Sequence, residues 1–280
     1  MLSERHIRMS AALLLVAGVT LSIAGCKPDA AVRDPALIGR GTRDPVPSPA
    51  SSSQDRASQP GAVQIVANGK ISGTILFHGK APLATIDTSL DPGCAQGGKS
   101  TLPTEQFVVK DGKLANVFLY VKSGPPEAMQ DGGRSAQSVV MDQKNCQYVP
   151  HVIAVAAGGY VEFRNSDSTL HNVHTMPTDV GNETIDFSQG SHGQPKSKQF
   201  LRPEPMIPVR CNYHPWMNAF INVSATRFFD ISDGDGHFNL RGLPPGEYVI
   251  GAVQEKLGEK TMRVTVLPNK TATAEFDFVQ

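Results

Sequence analysis

From residue 62 onward the apolar positions fall in short runs, many of them β-branched or aromatic, bounded by turn-forming residues. Such runs predict strands over Val63–Val66, Ile71–Phe77, Val117–Val121, Val152–Val155, Tyr160–Phe163, Phe220–Val223, Tyr248–Val253, Met262–Leu267 and Thr271–Phe278. Asn68-Gly69, Asp111-Gly112 and Asp235-Gly236 mark hairpins, because glycine accepts the positive φ of primed turns. Helical periods of useful length are scarce. Short strands with frequent turns predict an all-β protein of antiparallel sandwiches or barrels.

The first 61 residues follow another pattern. Arg5, His6 and Arg8 precede an apolar run from Ala11 to Ile23, a positive n-region and an h-region too short for a transmembrane helix. The run ends Leu21-Ser22-Ile23-Ala24-Gly25-Cys26, which resembles a lipobox, the bacterial lipoprotein signal. That resemblance implies a signal peptide over 1–25, lipidation of Cys26 and attachment to a lipid membrane. Lys27 at the next position resembles an outer-membrane sorting signal, so the expected location is the cell envelope, facing the periplasm or the surface. Residues 26–61 are rich in Ala, Ser and Pro and lack apolar periodicity, as in a disordered tether. Twenty-six basic residues balance twenty-six acidic ones with no basic run, so nothing points to nucleic acid. Of the four cysteines, Cys94 and Cys146 remain once Cys26 and Cys211 are assigned, and outside the cytoplasm two such thiols pair.

The chemistry concentrates in Cys211-Asn212-Tyr213-His214-Pro215-Trp216-Met217, a thiol, an imidazole and a thioether with two residues between each pair. Soft sulfur with imidazole suits copper, and a thioether is a poor zinc ligand. Upstream, the Asn165-Ser166-Asp167 turn leads to Leu170-His171-Asn172-Val173-His174, where His171 offers a second imidazole from a separate strand.

These two segments, in this order, resemble the cupredoxin family, and the compact loop is most like those of amicyanin and pseudoazurin. The resemblance covers roughly residues 138–225. It implies a Greek-key β-sandwich, one type 1 copper held by His171, Cys211, His214 and Met217, and electron transfer to a redox partner protein rather than enzyme catalysis. It also implies that Asn172 braces the two ligand-bearing segments by hydrogen bonds. His214, followed by Pro215 and Trp216, would sit at an apolar rim with its ring edge as the electron exit. The polar insert Asp186–Gln199 departs from the family and would remodel that rim. His174 reads as a rim histidine, and with His151 and His192 it could form a second metal site. His78 and His237 read as turn residues.

Residues 226–280 contain Asp233-Gly234-Asp235-Gly236, then Gly242-Leu243-Pro244-Pro245-Gly246-Glu247-Tyr248. They resemble the second half of a carboxypeptidase regulatory-like domain, a small transthyretin-like sandwich, and Ile71–Ile75 within 62–137 resembles its opening strand. Neither flank holds the whole pattern, so the copper segment would interrupt one module. Besides electron transfer, the same residues would suit a copper buffering or delivery protein, or a surface binding module with a vestigial site.

Overall fold

The computed structural model describes residues 68–95, 100–130 and 138–280. Cys26, the tether and the strand expected at Val63–Val66 lie outside these residues. The described part is all-β, as expected, with one short helix. In chain order the strands are β1 Gly69–His78, β2 Thr85–Asp87, β3 Thr101–Pro103, β4 Val109–Lys110, β5 Lys113–Leu114 and β6 Phe118–Ser123. After helix α1 (Pro126–Gln130) come β7 Ser138–Lys144, β8 Gln147–Val149, β9 Val152–Ala156, β10 Tyr160–Asn165 and β11 His171–Thr175. The insert and the second ligand segment supply β12 Asp186–Gln189, β13 Lys196–Gln199, β14 Glu204–Arg210 and β15 Asn218–Ser224. The last strands are β16 Phe229–Ile231, β17 His237–Leu243, β18 Gly246–Gln254, β19 Gly258–Val266 and β20 Thr271–Val279.

These strands enclose two separate apolar cores. The first is shared by a sheet ordered β17-β1-β5-β4, with β20 also on β1, and a sheet ordered β16-β6-β18-β19. Period-2 alternation sends Ile71, Ile75, Phe77, Phe238, Leu240, Phe276 and Phe278 inward from one sheet. They meet Leu119, Val121, Tyr248, Ile250, Val264 and Val266 from the other. One sandwich is therefore built from both flanks of the chain. β1 runs antiparallel to β17 and parallel to β20, from Lys70 opposite Thr271 to His78 opposite Val279. Asp111-Gly112 turns β4 into β5 with φ of 51° and 72°, the hairpin expected there. Asp235-Gly236 (Gly236 φ 72°) instead makes a turn between β16 and β17, which lie in different sheets, so no hairpin forms at it. Gly69 is already in β1, opposite Leu243 and without a positive φ, so the primed turn expected at Asn68-Gly69 does not form on it.

The second core lies between the sheets β13-β10-β7-β8 and β12-β11-β14-β15-β9. It contains Met141, Tyr148, Ile153, Val155, Val161, Phe163, Val173, Ile207, Val209, Ile221 and Val223, together with Cys211 and Met217. The chain passes repeatedly between the two sheets, so β7 pairs parallel with β10 and β9 parallel with β15. The Asp186–Gln199 insert is not a rim loop. Its ends are strands, β12 on β11 and β13 on β10, which extend one sheet each.

A disulfide joins Cys94 to Cys146, with Cα atoms 5.6 Å apart. It ties a loop of the N-terminal flank to the β7–β8 turn of the second sandwich. At the start of β9, buried His151 faces buried Glu255 at 3.4 Å and so makes a further link between the sandwiches.

Candidate metal centre

The ends of two neighbouring strands and one tight loop build the site. His171 opens β11, and Cys211 follows directly on β14, which pairs with β11 through His174–Arg210 and Thr175–Val209. The loop from Cys211 to Met217 is closed by hydrogen bonds from Met217 N to His214 O (2.9 Å) and from Cys211 N to Met217 O (3.3 Å). Asn172 braces it from the side. Its Oδ1 accepts from Asn212 N (3.3 Å), and its Nδ2 donates to Asp186 Oδ1 (2.8 Å). The Tyr148 hydroxyl donates to the Asn172 carbonyl.

His171, Cys211 and His214 are buried, and one ligand atom from each lies within 4.8 Å of the others. The two Nδ1 atoms are 3.0 Å apart, and Cys211 Sγ is 3.6 Å from His214 Nδ1. Asn172 N points at the same sulfur from 3.4 Å. Met217 is 1% exposed and packs in the same core.

The outer nitrogens of both rings meet carboxylates. His171 Nε2 is 2.8 Å from Asp167 Oδ2, and His214 Nε2 is 2.7 Å from Asp91 Oδ2. Both carboxyls lie below the usual carboxylate range. For Asp91 the main cause is the hydrogen bond from His214; for Asp167 burial pulls upward but is outweighed by His171 and the N–H groups of Asn145 and Cys146. An ionised carboxylate only accepts, so each Nε2 must be the donor and each Nδ1 is left to face the centre.

Two buried Nδ1 lone pairs 3.0 Å apart repel unless positive charge lies beside them. A proton can fill that place: burial lowers the His171 pKa, but the hydrogen bonds with Asp167 and Cys211 raise it above the ordinary histidine value overall. Burial likewise pushes the Cys211 thiol up, yet His171 and the N–H groups of Asn172, Tyr213 and His214 bring it down to about 6. Cys211 is thus poised as a thiolate near neutral pH, the form that binds metal. Gaps of 3.0 and 3.6 Å match one ion bonded at roughly 2.0 Å to nitrogen and 2.3 Å to sulfur. The donor set fits a metal ion.

Other expected site residues fall elsewhere. His214 is 3% exposed and is not at a rim. The Asp91-Pro92-Gly93-Cys94 loop covers its outer edge, with Cys94 Sγ 3.7 Å from Nε2. Pro215 is exposed. Trp216 is half-buried against the core, with its ring 5.0 Å from that of His214 and its Nε1 donating to Cys146 O (3.2 Å). His174 Nδ1 meets Asn212 Oδ1 at 3.2 Å, on the side of β11 away from the centre. His151 is committed to Asn218 O and Glu255, and His192 donates its backbone N–H to Asp167 O. Among the described residues, no cluster of three potential ligands includes His151, His174 or His192, so they do not form a second site. His78 and His237 lie at strand ends and bond Asp277 and Thr74.

No protein-family model matches the chain, and no curated protein matches it. Among solved structures it is similar to two single-residue variants of amicyanin in the Cu(I) form, at 21% and 23% identity. Each likeness covers 38% of this chain and 97% of amicyanin, with a TM-score of 0.28. It is also similar to a copper-containing nitrite reductase from Thermus scotoductus SA-01, at 19% identity over 53% of this chain and 28% of that one, with a TM-score of 0.29. These likenesses are distant.

Proposed function

We propose that this chain is a cupredoxin-like electron-transfer protein that would bind one type 1 copper through His171, Cys211 and His214, with the Met217 thioether as a weak further ligand. The observation that carries this reading is the convergence of two imidazole Nδ1 atoms and one buried, readily ionised sulfur, drawn from segments 40 residues apart, on a single point. Thiolate and imidazole donors with a thioether nearby select copper over harder ions. When bound, copper supplies a one-electron couple. The protein's part is to keep its donors in place in both oxidation states. Cys211 and Met217 are fixed by the closed loop, His171 by β11, and Asn172 ties the two segments together. All three nearest donors are buried, so water reorganises little around them.

The same reading places the chain in a bacterial cell envelope, anchored to the lipid membrane through Cys26, where it exchanges electrons with a redox partner protein. The sandwich shared by the two flanks would be a carboxypeptidase regulatory-like module interrupted by the copper sandwich.

The test is optical. Protein loaded with one equivalent of Cu(II) should show an intense visible band from thiolate-to-copper charge transfer, and Cys211→Ala should abolish it. A colourless Cu(II) complex would overturn the reading. Stopped-flow electron exchange and copper competition against a chelator then separate a carrier from a copper buffering or delivery protein.

A further inference from the structure

The residue that holds His214 from outside does not belong to the ligand-bearing sandwich. Asp91 lies 123 positions before His214, in the loop that leads from β2 to Cys94. Hydrogen bonds, a disulfide and close packing fix this loop. Gly93 N donates to Asp91 Oδ1 (2.6 Å) and Cys94 N to Asp91 O (2.9 Å), so the turn presents its other carboxylate oxygen to the ring. The disulfide ties Cys94 to Cys146. Gly93 lies against Thr169, just before His171, so closely that a Cβ would come within 2.8 Å of the Thr169 side chain. Cys146 N in turn donates to Asp167, the carboxylate on His171. The bridge thus links the turn that carries Asp91 to the β7–β8 turn, whose Cys146 N–H bonds the carboxylate on His171.

We propose that Asp91 is a positioning residue for the metal centre: it fixes the His214 ring with Nδ1 inward, and its turn closes the ring edge to solvent and to other molecules. This rests on the metal-binding reading above, with His214 as a ligand. A carboxylate behind a ligating imidazole sets its tautomer and its orientation and strengthens it as a donor, and loss of such a partner costs 10–100-fold in metal affinity. In this chain that partner comes from the N-terminal flank, in the loop after β2 and outside the strands of both sandwiches, so this flank acts on the centre.

Two variants and two readouts test the proposal. Asp91→Ala removes the acceptor, whereas Asp91→Asn keeps a carbonyl oxygen there without the charge. In metal-free protein, the buried His214 Nε2–H should give a slowly exchanging ring N–H resonance in nitrogen-15 spectra. It should persist in Asp91→Asn and vanish in Asp91→Ala, while the His171 Nε2–H resonance is kept in both. In competition with a chelator, Asp91→Ala should bind Cu(II) 10–100-fold more weakly, with Asp91→Asn between it and the parent. If the loss falls on Cu(II) alone, the midpoint potential rises by about 59 mV per tenfold. Retention of the His214 resonance and of parental Cu(II) affinity in Asp91→Ala would overturn the proposal. Failure of the parent to take up copper would overturn the metal reading instead, and the metal-free resonances would still decide whether Asp91 positions the ring.

Discussion

Removal of the Cys94–Cys146 bridge should cost more stability than any single side-chain truncation outside the cores. The two cysteines are 52 positions apart. A bridge restricts the unfolded chain by an entropy that grows with the logarithm of the loop it closes, and a loop of this size corresponds to about 4 kcal/mol. Cys146 is also 1% exposed, so its replacement must keep the volume small and apolar. The double variant Cys94→Ala/Cys146→Ala meets that need and leaves Cys211 as before. In a fold of this size each kcal/mol moves the unfolding midpoint by roughly 2–4 °C. The double variant should therefore melt about 8–16 °C lower in calorimetry, and the parent treated with a dithiol should match it. A loss under about 1 kcal/mol in both would refute the reasoning, since it would mean either that the bridge does not close the loop or that the unfolded chain gains no freedom without it.

Three further predictions concern the shared sandwich and one buried carboxylate. Gly73 lies in β1 between β17 and β20, where a Cβ would stand 1.8 Å from Ala274 O and 2.6 Å from the Phe238 ring; Gly73→Ala should therefore break this seam, and residues 225–280 expressed alone should show no cooperative unfolding in urea, whereas a stable fold from that fragment would defeat the shared-core account. At Glu204, burial raises the carboxyl pKa, but the N–H and O–H of Thr178 and the amide of Asn182 outweigh it and hold it below 4.5. The unfolded chain then takes up the proton first, so the contribution is complete above about pH 4.5 and is lost as pH falls through the folded value. Glu204→Gln should cost about 1–3 kcal/mol at pH 7 and flatten the acid limb of stability in urea titrations between pH 5 and 3. An unchanged limb would count against it.

The β-branched runs announce β1, β6, β9, β10, β15 and β18–β20 because packing and local propensity agree there. Strand β14 is hidden. Pro205 and Pro208 interrupt its pattern, and Met206 takes a positive φ of 54° where the register with β15 shifts, so the strand survives only through a bulge. Strand β12 carries only Phe187 as an apolar signal, which packs on Phe163, and β13 is wholly polar, so both are set by pairing with β11 and β10 rather than by a readable pattern. At the centre, His171, Cys211 and His214 are legible because soft donors at fixed spacing are chemically unusual. Asp167 is visible only as a turn residue before His171. Asp91 has no local signal: a carboxylate followed by Pro-Gly reads as a turn, and only the tertiary fold brings it to His214.

The parallel pairing of β1 with β20 has a consequence for how the molecule is assembled. It joins positions roughly two hundred residues apart, the kind of contact whose closure entropy must be met before any interaction rewards it. The metal-bearing sandwich lies wholly inside that span and has all its strands before the seam can shut. Until β20 arrives, one edge of β1 offers bare N–H and C=O groups to any neighbouring chain. Loss of the last nine-residue strand would thus leave the ligands untouched and turn the protein toward edge-to-edge aggregation, a defect of solubility rather than of the site.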